Sequence, residues 1–377
     1  MNDYFQGSVS QLVERGQRLL STIPTSLPRE FHRLEQICRG RVCDVIDKLR
    51  SLVEDPRILQ PDLQPERLRR FRRAVRELDF LETVCIAALE RALDADKHLN
   101  RVVERIRTEI NYPLLPPIVT PLSQSYFKIY PDLNLLCVPL SEGNFLLHLP
   151  DIYHELAHPL LAEKYDPRVK PFQAALSRAL DVALGYLEGE LENEGRGLGP
   201  KQFSVSLYQW SNAWVGGWAI ELFCDLFAVF TLGPAFVWSH LHLSAKRGSD
   251  PFHTLGHSSH PPDGARMTAM LYGLNLAGFT EEAEEIRRRW DELIAISAAQ
   301  AGPEYDRCFP GYILESFAEE SRKGVSEIGC RIASQETKDI VHGILSGAWV
   351  DFWHDPQGYA AREKGLVESL REQCSTT

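Results

Sequence analysis

His154-Glu155-Leu156-Ala157-His158 is the stretch on which the reading of this chain turns. On an α-helix, positions i and i+4 lie one turn apart on the same face, so the two imidazoles can close on one Zn²⁺. Glu155 is rotated by about 100° from His154 and can reach a water on that metal without ligating it. Zinc lowers the pKa of such a water to about 7, and a neighbouring carboxylate takes its proton as general base. The helix carrying the motif is expected to start at Pro150-Asp151 and to run to about Glu163. Pro159 follows the second histidine and removes the backbone N–H that would bond back to Glu155. It predicts a kink or early end just past the histidines.

A third ligand decides the class of site. The metzincin pattern needs a glycine and then a third histidine downstream, and those places hold Leu161 and Lys164, which excludes it. The better candidate is Glu221, in Trp218-Ala-Ile-Glu-Leu-Phe-Cys-Asp-Leu-Phe-Ala228. Between Lys201 and Lys246 the only Asp, Glu, Lys or Arg residues are Glu221 and Asp225. They stand i, i+4 on an otherwise apolar helix. Two buried carboxylates on one face repel each other unless a cation or strong donors neutralise them. Zinc bound by Glu221, with Asp225 accepting the free ring N–H of a ligating histidine, accounts for both. A thiolate from Cys224 would close the site and make it structural. Its helical position is expected to point it away from Glu221, so it is not assigned as a ligand.

Downstream lies Ser259-His260-Pro-Pro-Asp-Gly-Ala-Arg266. His-Glu-x-x-His, then Glu-x-x-x-Asp followed by an apolar Phe-Ala, then Ser-His-Pro-Pro-x-x-x-Arg, in that order, resembles the M48-type gluzincin metallopeptidases. That group contains the CAAX prenyl proteases and the HtpX-like membrane quality-control proteases. The likeness covers the chain from about Ser125 to Gly273. It implies His154, His158 and Glu221 as ligands of one Zn²⁺ per chain, Glu155 as general base and acid, and Asp225 behind a ligand. It also implies that His260 and Arg266 steady the oxyanion or hold the active-site wall. His253 and His257 lie close to His260 and are alternatives for the oxyanion group. The segment Leu133–Val138 would match the edge strand on which zincins lay an extended peptide. The membrane helices of the prenyl proteases have no counterpart here, so an isoprenylated substrate is not implied.

The rest of the chain sets the context. Its 377 residues are 44% apolar and 25% charged, ordinary for a globular protein, which excludes disordered and low-complexity classes. A net charge of −11 argues against a chain whose main task is to neutralise phosphates. No basic-then-apolar leader and no clean membrane-spanning run are read from the sequence. The eight cysteines are scattered without a C-x-x-C pair, so reduced thiols and a cytoplasmic setting are expected.

Leu68, Phe71, Val75, Leu78, Leu81, Cys85 and Leu89 recur at spacings of three and four and predict one helical face. Pro113, Pro116, Pro117 and Pro121 predict a boundary after this helical region. Tyr126–Tyr130 and Leu133–Val138 flank Pro131-Asp132 and predict a hairpin, the only convincing strands. Helices are expected from about Pro171 to Glu192, from about Leu207 to Leu232, and from Met267 onward. Arg67, Arg69, Arg70, Arg72, Arg73 and Arg76 are read as a solvated helix face paired with Glu66, Glu77 and Asp79. His240 and His242 are read as packing or capping residues, and Trp210, Trp214 and Trp218 as a core stripe.

The expected fold is mainly α with a small hairpin or sheet: an N-terminal helical domain (1–112), a zincin-like core (113–275) and a C-terminal helical region (276–377). The expected activity is zinc-dependent hydrolysis of peptide bonds in a protein or peptide substrate, with the N-terminal helices available to a protein partner and no nucleic-acid or membrane role assigned. Two alternatives are kept. One is a silent zincin-fold scaffold or sensor; the other is a protease-type regulator whose arginine-rich helix binds nucleic acid.

Overall fold

The computed structural model describes residues 2–90, 94–123, 126–140, 142–195, 204–247, 250–254 and 260–375. Helices dominate, and one three-stranded sheet accompanies them, so the fold class is mainly α with a small sheet. The chain falls into two compact units, Met1–Asn100 with Pro117–Leu140, and Arg101–Pro116 with Ser141–Thr377. These boundaries differ from the three-part reading. The strands belong with the N-terminal helices, and residues 276–377 belong to the unit that holds His154.

In the first unit α1 (Asn2–Thr22), α2 (His32–Glu54) and α3 (Gln64–Phe80) pack together. Leu34, Cys38, Val42, Val45, Leu49 and Leu52 of α2 recur at spacings of three and four and are buried. That stripe is the amphipathic face a helix needs to form a core. The helix axis of α3 continues through a π-type turn (Leu81–Ile86) into α4 (Ala87–Glu90). Its buried face runs through Arg67, Ala74, Leu78, Leu81, Cys85 and Leu89. Leu68, expected on that face, is 40% exposed. Arg67 takes the place instead, because its long stem can pack while its guanidinium bonds backbone: Nε donates to the Leu52 carbonyl at 2.8 Å.

The sheet order is β1 (Ile118–Ser123), β3 (Leu135–Pro139), β2 (Lys128–Tyr130). β2 and β3 form the expected hairpin, with Asn134 in the left-handed region at φ 51°. β1 was not expected, because its segment is proline-rich. It pairs parallel to β3 and its register shifts between Thr120 and Ser123, around Pro121. Proline costs little there, since an edge strand has one side without ladder partners. β3 is therefore the central strand, with a neighbour on each side. The expectation that Leu133–Val138 offers an edge for an extended peptide is corrected by this order.

α5 (Asp94–Glu109) carries the chain on to the second unit's residues. That unit contains α6 (Asp151–Ala162), α7 (Lys170–Gly195), α8 (Ser204–Ala213), α9 (Ala219–Leu232), α10 (Pro234–Arg247), α11 (Asp263–Ala277) and α12 (Thr280–Ser297). It continues with α13 (Pro303–Cys308), α14 (Gly311–Glu327), α15 (Ile340–His354) and α16 (Tyr359–Gln373). α9 is the axis of this unit, packed by α6, α7, α10, α11 and α14. From Glu221 to Leu232 every side chain of α9 is buried. Gly273 of α11 sits where a Cβ would come within 3.0 Å of Leu226 and 3.1 Å of Val229, so a side chain there would hold α11 off α9.

The run Ser206–Leu232 is long and apolar enough to cross a membrane by length and composition. A widened turn at Trp214–Trp218 interrupts its helix, and 72% of its most apolar window is buried inside the protein. Trp210, Trp214 and Trp218 are buried as a core stripe, with Trp214 and Trp218 packing on Phe309.

Candidate metal centre

α6 is short and buried on nearly all sides, with Ile152, Tyr153, Leu156, Ala157 and Leu160 fully enclosed. Pro159 does not end it. The helix runs on to Ala162, where the Gln173 side-chain amide donates to the carbonyls of Leu160 (2.9 Å) and Glu163 (2.6 Å). The Gln173 amide thus serves carbonyls at the helix end that lack a full set of intrahelical partners. One turn earlier, the Tyr112 hydroxyl donates to the Leu156 carbonyl at 2.8 Å.

His154 and His158 project from α6 with ring centroids 5.2 Å apart. Glu221, in the first turn of α9, meets both. Its Oε2 is 3.3 Å from His154 Nε2 and its Oε1 is 3.9 Å from His158 Nε2. His154 Nδ1 lies 2.8 Å from Asp225 Oδ1. An ionised carboxylate only accepts, so Nδ1 carries the proton and Nε2 is turned toward Glu221. Phe236 of α10 stacks against the His154 ring at 6.1 Å.

Arg266 of α11 donates to both oxygens of Asp225, from Nε at 2.7 Å and from Nη2 at 2.6 Å. Both groups are buried, and such a bidentate pair fixes geometry as well as charge. Arg266 is thus committed to Asp225 through two of its donors. The guanidinium positions Asp225, and Asp225 positions His154. His260 places Nε2 3.3 Å from Glu221 Oε2 with half of its side chain exposed, at the open side of the cluster. His253 is exposed on the loop, and His257 lies outside the described residues. His240 is buried, with Nε2 3.8 Å from Asp263.

Sequence reasoning weighed Cys224 and set it aside. Its thiol is fully buried, and its sulfur stands within 4.8 Å of a ring nitrogen of His154 and of His158. The expectation that it points away from Glu221 does not follow from helix geometry. Three residues along a helix is about 300° of rotation, which leaves i and i+3 only about 60° apart on one face.

The electrostatics of the cluster follow from burial and charge. Burial alone would lower His154, but Asp225 and Glu221 more than reverse it, to about 10. Burial, then the neighbouring His154, bring His158 down to about 4, which leaves a neutral imidazole. Burial would raise Glu221, and His154 beside it brings it to about 2. Asp225 is held far below the carboxylate range by Arg266 and His154, against the effect of burial. Burial and the carboxylates of Glu221, Asp225 and Glu155 push the Cys224 thiol well up.

Arg266 compensates Asp225, which leaves Glu221 to be balanced by positive charge among the histidines. Its Oε2 is buried and, by geometry among the described residues, finds no well-aligned hydrogen-bond partner, although two imidazole nitrogens stand 3.3 Å away. Donors about 2.0–2.1 Å from one tetrahedral zinc stand about 3.3–3.4 Å from each other. His154 Nε2 and His260 Nε2 both stand at that separation from Glu221 Oε2, while His158 Nε2 is 3.9 Å from Oε1; two imidazoles with one carboxylate are a donor set zinc accepts. Comparison of this chain with protein-family models, with curated proteins and with solved structures finds no match.

Proposed function

We propose that this chain is a zinc-dependent metallopeptidase whose site is built by α6, α9 and α11. One observation carries the reading: Glu221 of α9 closes on the two histidines of the His-Glu-x-x-His turn, with Asp225 bonded behind His154. His154, His158 and Glu221 would hold the metal. Zinc, when bound, polarises a carbonyl and brings a water within reach of deprotonation at neutral pH.

The chain's own groups do the rest. Asp225 accepts the Nδ1 proton of His154 and so fixes the tautomer whose Nε2 can ligate. Glu155 is buried on the same helix turn as the ligands. It takes the proton of the attacking water and returns it to the leaving amine. His260, half exposed beside Glu221, donates to the carbonyl oxygen as it gains charge. An intact Glu155 favours this reading over a scaffold, since a structural metal has no use for a base.

Glu155→Gln replaces the base by a near-isosteric amide. Zinc content is expected to stay near one per chain, while cleavage falls by about 10²–10⁴. Metal analysis of the purified protein and terminal-peptide profiling of cells expressing each form read these two effects. Cleavage products that persist unchanged in the variant would remove Glu155 from the reaction and return the scaffold reading.

A further inference from the structure

We propose that Cys224 is a fourth ligand of the metal in the resting protein, making a closed set of two imidazoles, one carboxylate and one thiolate. The proposal rests on the metal reading of His154, His158 and Glu221 given above. α6 supplies a pair at i, i+4, and α9 supplies Glu221 and Cys224 at i, i+3. Both spacings bring Cβ atoms to about 5–6 Å on one helix surface, so each pair can reach a common ion. Two helices that face each other with such pairs offer four donors from two directions, which is a tetrahedral arrangement. The sulfur already stands within 4.8 Å of both imidazoles. Glu221 meets the same two imidazoles from α9, with Oε2 3.3 Å from His154 Nε2 and Oε1 3.9 Å from His158 Nε2.

The chemistry follows from the donor types. As the metal–sulfur bond forms, the thiol proton leaves to solvent, and the thiolate adds one negative charge to that of Glu221. The two together neutralise a divalent ion. A thiolate with two imidazoles selects zinc and softer cations over magnesium, calcium or manganese. Four protein ligands also fill the position that hydrolysis needs open. The resting site is thus closed, and substrate enters only when the Cys224 sulfur leaves the metal.

X-ray absorption at the zinc edge tests this on the full-length protein loaded with zinc. One sulfur at about 2.3 Å is expected beside nitrogen and oxygen at about 2.0–2.2 Å. Cys43, exposed at the surface, is first replaced by Ser so that it cannot supply the sulfur. Cys224→Ser and Cys224→Ala are expected to keep zinc but lose the sulfur shell and bind at least about tenfold more weakly. Loading with Co²⁺ should show a thiolate-to-cobalt charge-transfer band that the same variants lack. Stoichiometric zinc with nitrogen and oxygen neighbours only, or a sulfur shell that survives in both variants, overturns the proposal and leaves the peptidase reading standing. A wild-type protein that takes up neither metal overturns both.

Discussion

α9 and α3 both carry charge, and they handle it in opposite ways. α9 has two acids among apolar residues, and neither meets water freely: Asp225 is wholly buried and Glu221 nearly so. α3 has six arginines within ten positions, of which only Arg67 is buried. Arg69 and Arg70 share Glu66, while Glu77 pairs with Arg41 of α2 and Asp79 with Arg15 of α1. The expected pairing of Glu77 and Asp79 with the arginine run is therefore corrected. A charge in an apolar surround has to be answered by a specific partner, and that partner carries information about a site. In a polar surround, solvent answers it, and the number of charges says little.

The largest effect that separates the two helices is expected at Asp225. Asp225→Ala leaves Arg266 buried without its counter-charge and His154 without its Nδ1 acceptor. Breaking a buried pair from one side costs about 3–5 kcal/mol. Urea denaturation of the metal-free protein measures it. A combined Asp225→Leu, Arg266→Met variant should recover more than half of that loss, because no lone charge remains. A cost below about 1 kcal/mol for Asp225→Ala would place α9 with ordinary surface helices and end the contrast.

Next in size is the one arginine of α3 that behaves like α9. Arg67 donates to the Leu52 carbonyl, reaches Gln64 Oε1 at 3.3 Å and lays its guanidinium 3.9 Å from the centre of the Phe5 ring. Arg67→Met keeps the stem and removes the charged donor, leaving the Leu52 carbonyl short of a partner. The expected loss is about 1.5–3 kcal/mol, the range for a hydrogen bond to a charged group. An equal loss on replacing Arg70, which is exposed on Glu66, would show that position on the helix rather than burial sets the cost.

The same contrast explains what the sequence disclosed. Groups whose spacing is itself chemistry were legible: His154 and His158 at i, i+4, and Glu221 and Asp225 as the only acids in a long apolar run. The structure brings these four together and adds Arg266 and His260 from the downstream motif. Cys224 was weighed as a thiolate and set aside on its helical position, although i and i+3 share one face of a helix. β1 was hidden because four nearby prolines hide a strand whose other edge needs no ladder bonds. The central place of β3 depends on that missed partner. Arg67 and Leu68 exchanged roles because an arginine stem can be buried, which a pattern of apolar letters does not record.

The smallest effect is expected where charge is densest. Arg72, Arg73 and Arg76 are exposed and, among the described residues, form no ion pair. Replacing all three by Gln removes half of the run, yet no buried group loses a partner. The melting temperature should move by no more than about 2 °C, the scale of ordinary surface changes. Their use as a nucleic-acid patch is disfavoured by their surroundings. Residues 1–100 and 117–140 hold 18 Lys and Arg against 17 Asp and Glu, so the unit has almost no net charge to release counterions with. A titration of duplex DNA at rising salt is expected to show no specific loss on going from wild type to the triple variant. Six phosphate contacts would give a slope near −5 in log K against log salt. A slope of that size in the wild type, falling by about three in the variant, would make the arginine face a binding surface. α3 would then join α9 as a helix whose charges have a dedicated partner, one supplied by another molecule.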